Sequence, residues 1–76
     1  MEKFILEVYK KINGSFNLMS KNTFDTKKEA IREFKKEMIE YEAKMGEVEK
    51  VDNDDEFIWR FKNKELQIVL RSVLLA

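Results

Sequence analysis

The sequence has no cysteine, no histidine and no proline, and only two glycines among its 76 residues. Without cysteine there is no disulfide to staple a small fold and no thiol nucleophile. Without histidine there is no imidazole acid–base group, and the usual zinc sites fall away with it. A Ser–His–Asp arrangement is impossible, and Gly14 and Gly46 are too far apart in sequence to form a phosphate-cradling loop. These gaps predict a protein that is not an enzyme and has no cofactor or metal. The lack of cysteine also fits a reducing compartment, so the expected location is cytoplasmic.

An excess of either charge is missing too. Fifteen Lys and Arg balance fifteen Asp and Glu, whereas a non-specific nucleic-acid binder normally carries a clear positive excess. No run approaches the roughly 18 apolar residues that span a bilayer, and the start, MEKFILEVYKK, lacks the apolar core and small-residue cleavage site of a signal peptide. No membrane partner is expected. The length allows a single domain, residues 1–76, which buries only about 60% of its unfolded surface.

What is present is periodicity. KFILEVYKKI alternates, with Phe4, Leu6 and Val8 on one face and Ile5, Glu7 and Tyr9 on the other, the pattern of a half-buried strand. Asn13-Gly14 follows as a hairpin turn, and SFNLMSKNTF returns antiparallel. A two-residue turn puts Phe4 opposite Thr23. A three-residue loop through Ser15 puts Phe4 opposite Phe24 and gives the better apolar face. A bulge would reconcile the two, and the register stays open.

FDTKKEAIREFKKEMIEYEAKMG reads as a helix. Thr26 and Glu29 form a capping box. Ala30, Ile31, Phe34, Met38, Tyr41 and Met45 make its apolar stripe, and Gly46 is expected as its left-handed stop. EVEKV, Glu47 to Val51, reads as a strand, and the acidic turn DNDD follows. With Asn63-Lys64 as a two-residue turn, the last hairpin pairs Phe61 with Leu66, Trp59 with Ile68 and Phe57 with Leu70 beneath the helix. Its other face pairs Lys62 with Glu65, Arg60 with Gln67, Ile58 with Val69 and Glu56 with Arg71. The expected fold is α+β: an antiparallel sheet of four to five strands with one helix packed on one face, in the order β-β-α-β-β-β.

Candidate surfaces follow from this layout. The acidic stretch Asp52, Asp54, Asp55 and Glu56 lacks the glycine and the distant glutamate of a calcium loop, and turns favour Asp and Asn for backbone reasons alone. On the helix exterior, Lys28, Arg32, Lys35 and Lys36 form a basic flank beside Glu29, Glu33, Glu37 and Glu40. Segregated potential of this kind steers a complementary partner. Ile39 lies off the core stripe. Leu74 is expected with the core, while Val69, Val73 and Leu75, joined by Tyr9, Ile5 and Ile58, are expected on a sheet face that one helix cannot cover. The partner-binding set is therefore Glu33, Lys36, Glu37, Ile39, Glu40, Asp52, Asp54, Asp55, Glu56, Val73 and Leu75. A homodimer through the C-terminal strand is a further expectation, because an apolar edge invites pairing.

The second reading is a small DNA- or RNA-binding domain using Lys10, Lys11, Lys21, Lys27, Lys28 and Arg32, gathered near one end with Tyr9 as a stacking residue. Locally, TFDTKKEAIREF resembles the strand-to-helix junction of arm-type DNA-binding domains in phage integrases, through Phe24, Thr26, Lys27, Lys28, Glu29 and Ala30. That resemblance implies a sheet that enters the DNA major groove. In size, composition and compact α+β layout the whole chain resembles small phage-encoded inhibitors of bacterial defence, the anti-CRISPR type among them. This resemblance implies a non-enzymatic protein that occludes a nucleic-acid or effector surface on a host protein or ribonucleoprotein complex.

Overall fold

Asn13 and Gly14 both take positive φ, 52° and 83°, as a two-residue turn matched to the twist of its strands requires. The computed structural model describes residues 2–41 and 45–74. In it β1 (Glu2–Ile12) and β2 (Ser15–Phe24) leave this turn with Ile12 opposite Ser15 and Tyr9 opposite Leu18. Between Val8 and Tyr9 the register shifts, which leaves Met19 unpaired as a bulge. Beyond it Phe4 stands opposite Phe24. Both candidate registers are thus present, one on each side of Met19. The tip satisfies backbone chirality and the far end satisfies the core.

Helix α1 (Lys27–Glu40) begins at Thr26, whose extended backbone (φ −124°, ψ 147°) and Oγ1, accepting from Glu29 N–H at 3.3 Å, make the N-cap. Only half of the expected capping box forms, because the Glu29 carboxylate takes the Thr26 hydroxyl at 2.9 Å instead of the backbone N–H. The helix stops well before Gly46. Tyr41 is its C-cap, and Tyr41 and Met45, expected on the buried stripe, are 41% and 86% exposed. Gly46 has no positive φ. It serves close approach, since a Cβ there would lie 2.6 Å from both the Lys62 carbonyl oxygen and the Phe61 ring.

Strands β3 (Glu47–Asp52), β4 (Phe57–Lys62) and β5 (Leu66–Leu74) complete a five-stranded antiparallel sheet in the order β2-β1-β5-β4-β3. The α+β architecture and element order are those the sequence implied. The last hairpin differs in register. Lys62 pairs with Gln67, Phe61 with Ile68 and Trp59 with Leu70, two residues away from the expected pairing. A two-residue turn needs positive φ at both positions (type I′) or a glycine-like first position (type II′), and neither Asn63 nor Lys64 takes positive φ. Asn63 instead closes a four-residue loop: its N–H donates to Leu66 O at 2.9 Å, and its Oδ1 accepts from Glu65 and Leu66 N–H at 2.9 and 2.7 Å. Asn53 closes the β3–β4 loop in the same way, with its N–H on Glu56 O and its Oδ1 on the N–H groups of Asp55 and Glu56.

A shift of two preserves which face each side chain occupies. The apolar set therefore stays together although its partners change, while the anticipated pairs Lys62–Glu65 and Glu56–Arg71 are not cross-strand neighbours. Arg71 Nε instead reaches Glu7 Oε1 on β1 at 3.4 Å, and Arg60 reaches Glu49 on β3 at 3.4 Å.

The core consists of Phe4, Leu6, Val8, Ala30, Phe34, Phe57, Phe61, Leu66, Ile68 and Leu70. Phe4 and Phe57 meet edge to face at 5.6 Å. The helix lies over β1, β5 and β2. Five strands about 4.8 Å apart span about 19 Å, whereas a helix with its side chains is about 10–12 Å across. Phe57 and Phe61 of β4 are still buried, whereas the helix-side residues of β3, Val48 and Lys50, are exposed, and this width mismatch positions the candidate site.

Candidate interaction surface

Successive helix residues turn by 100°, which sets the two flanks of α1 against different strands. Ala30 and Phe34 point into the core. Lys35 and Met38 lean towards β4 and β3, where with Phe34, Val48, Lys50 and Trp59 they line a groove of about 450 Å³. Glu33 and Glu37 fall on the opposite flank, towards β2.

Trp59 is the centre of the groove. The sequence pattern placed it in the core, and its parity is right, since it pairs with Leu70 on the helix side of the sheet. It is nonetheless only half-buried, because the helix flank and the exposed strand β3 leave the groove between them open. Phe34 meets the indole edge to face at 5.8 Å. The amines of Lys50 and Lys35 stand over the ring at 4.3 and 5.9 Å, within the range of cation–π attraction. The indole Nε1 is enclosed and has no hydrogen-bond partner among the described residues. Neither Lys35 nor Lys50 belongs to any of the four ion pairs among the described residues. Lys35 was expected on the basic flank of the helix, outside the partner-binding set, and Lys50 was not singled out from the sequence. The available signal was the width of five strands set against one helix.

The residues expected to bind a partner divide among several places. Glu33, Glu37 and Glu40 share the flank facing β2, and Lys36 and Ile39 lie on the solvent crest, with Ile39 77% exposed. Burial, reinforced by the charges of Glu40 and Glu33, holds the Glu37 carboxyl above the ordinary range, with Lys36 opposing. Asp52, Asp54, Asp55 and Glu56 lie at the other end of the helix, where Asp52 is paired with Lys27 at 2.9 Å. Thirteen helical steps, about 20 Å, separate that end from Glu40, so no continuous acidic strip forms. Among the described residues no group of three or more acidic side chains is placed to hold a metal ion.

On the sheet face away from the helix, Val73 is half-buried, as are Ile5, Tyr9, Ile58 and Val69. The expected apolar patch is a mosaic: Glu7 joins Arg71, Glu49 joins Arg60, and the Tyr9 hydroxyl donates to Glu7 Oε2 at 3.0 Å. Burial and the hydrogen bond to Glu7 both raise the Tyr9 pKa. Leu74 is 80% exposed rather than in the core, since the helix does not reach the end of β5. Leu75 lies outside the described residues.

The basic set is also divided. Lys10 borders Tyr41 at the C-terminal end of α1, and Lys11, whose N–H bonds Glu65 O at 2.8 Å, is next to it. Lys27, Lys28 and Arg32 belong to the N-terminal half of the helix, and Lys27 is engaged by Asp52 and the Phe57 ring. Lys21 is on β2 opposite Glu7. The single basic end expected for nucleic acid is therefore not assembled. The C-terminal strand is not an edge either: β5 is flanked by β1 and β4, and the edges are β2 and β3.

Comparison with known proteins found no matching family model, no matching curated protein and no matching solved structure. No helix among the described residues is long and apolar enough to cross a membrane.

Proposed function

We propose that this chain is a small, non-enzymatic protein-binding module of the inhibitor type, covering a nucleic-acid or effector surface on a larger host protein or ribonucleoprotein complex as anti-CRISPR proteins do. Its contact surface is the groove between α1 and β3. The observation that carries this reading is Trp59, a partly buried indole walled by Phe34, Met38 and Val48 and flanked by two amines that join no ion pair among the described residues. Aromatic side chains in partly desolvated pockets supply most of the affinity in protein interfaces. The acidic flank at Glu33, Glu37 and Glu40 provides a second patch of opposite sign, which favours one docking orientation.

The nucleic-acid reading has less support, because its lysines lie at opposite ends of the helix and Lys27 is already paired. Pull-down from bacterial lysates, in nuclease-treated and untreated halves, separates the two. Recovery of the same stoichiometric protein in both halves, lost with Lys35→Glu/Lys50→Glu, is the expected result. Direct binding of protein-free nucleic acid by the purified chain, falling steeply and linearly on a log–log salt plot and indifferent to Lys35→Glu/Lys50→Glu, overturns the proposal.

A further inference from the structure

We propose that the groove and the β3 edge together receive one extended, acidic segment of a partner protein, which adds to β3 as a sixth strand. Strand addition presupposes the protein-binding reading above. Three independent features converge on it.

The first is the edge itself. β3 is paired with β4 on one side only, so its outward N–H and C=O groups are a template for another strand. The other edge, β2, is interrupted by the bulge at Met19, a feature that blunts pairing.

The second is charge. Lys50 opposes Trp59 and so projects to the helix side, as Val48 does opposite Phe61. An incoming residue opposite Lys50 would sit about 5 Å from its Cβ, on the side where Lys35 descends from α1. Two amines with no ion pair among the described residues select a carboxylate there. An apolar residue suits the position opposite Val51, on the other face.

The third is what the site disfavours. A second copy of this chain joined through β3 must run antiparallel about an axis normal to the sheet, which pairs residues of equal parity. The two centred registers then set Glu49 against Glu49 or Lys50 against Lys50, and directly opposed like charges are destabilising. A nucleobase would need the face of Trp59, where the Lys50 amine already sits at 4.3 Å. A different protein chain with a carboxylate opposite Lys50 and a residue other than a carboxylate opposite Asp52 fits both the charge and the backbone.

The sequence contains one tryptophan, so the fluorescence of Trp59 reports directly on the groove. The probes are a capped peptide, Thr-Val-Glu-Val-Glu-Val-Thr, its Lys-for-Glu counterpart, and a form of the acidic peptide N-methylated at alternate amides. The expected result is a saturable fluorescence change with the acidic peptide only, weakened about tenfold or more by Lys35→Glu/Lys50→Glu, and lost on N-methylation. Recovery of binding between the charge-reversed variant and the Lys peptide would show that the variant remains folded. Equal response to both peptides, no response to either, or indifference to N-methylation overturns strand addition. Amide exchange on the complex captured from lysate separates this failure from failure of the parent reading. A stoichiometric partner that leaves the β3 amides unprotected would keep the protein-binding function and remove the sixth strand.

Discussion

Phe4 stands opposite Phe24 only because Met19 bulges out of β2 between them and the turn. The extra residue converts a register dictated by Asn13-Gly14 into one dictated by the core, and it does so in an edge strand. Deleting Met19 removes the extra residue, so Ser20 follows Leu18 opposite Val8 and Phe4 stays opposite Phe24 in an uninterrupted ladder. We expect urea unfolding of that variant to show a change of less than about 1 kcal/mol. Met19→Ser, which keeps the bulge at a half-exposed position, should change stability by less than about 0.5 kcal/mol.

Gly46→Ala should destabilise by about 1–3 kcal/mol, as overpacking does. The added methyl meets a backbone carbonyl and the Phe61 ring at 2.6 Å, and only the ring can give way. Phe61→Leu in the same chain should therefore recover part of the loss, and a double-mutant cycle by urea denaturation measures that coupling.

Asn63→Ala leaves the N–H groups of Glu65 and Leu66 without their acceptor. The expected cost is about 1–3 kcal/mol where such a group is desolvated, and Asn63→Asp, which keeps the acceptor, should cost less. Thermal unfolding of the pair checks this. Asn53→Ala should cost less than Asn63→Ala, because the N–H groups it serves are exposed to water.

Glu37 provides a test by pH. Its pKa is raised in the fold, by burial first and by Glu40 and Glu33 second. The folded state therefore binds its proton more tightly than the unfolded state does, and stability falls as pH rises from the unfolded pKa through the higher folded one. In acid, with Glu37 protonated in both states, this penalty is absent, and at neutral pH it is complete. Glu37→Gln should raise the melting temperature at pH 7, and the gain should vanish as the pH drops below the carboxylate range.

Periodicity made most of the fold legible. Alternation of Phe4, Leu6 and Val8 and the i, i+3, i+4 spacing from Ala30 to Met38 each translate directly into a buried face, because side-chain direction follows from backbone geometry alone. The two hairpin tips depended on something finer. Asn13-Gly14 announced its turn, whereas Asn63-Lys64 imitated one and formed an Asn-capped loop, since a lysine does not favour the left-handed conformation that glycine adopts freely. The groove was hidden for a different reason. Parity assigned Trp59 to the correct face, but whether that face is covered depends on which strands the helix crosses. That is set by the placing of β5 between β1 and β4, which no local pattern encodes.

That placing also governs how the protein comes into being. β1 is the first strand and β5 the last, yet they are neighbours, with Glu2 opposite Leu74 and Lys10 opposite Leu66. Emerging from the ribosome, β1, β2 and α1 can meet early, but one side of β1 remains an open edge until nearly all of the chain has followed. Contacts between such distant segments carry a loop-closure cost before any gain. The docking of β5 between β1 and β4 is therefore the contact that completes the sheet, and without it β1 presents an unpaired edge.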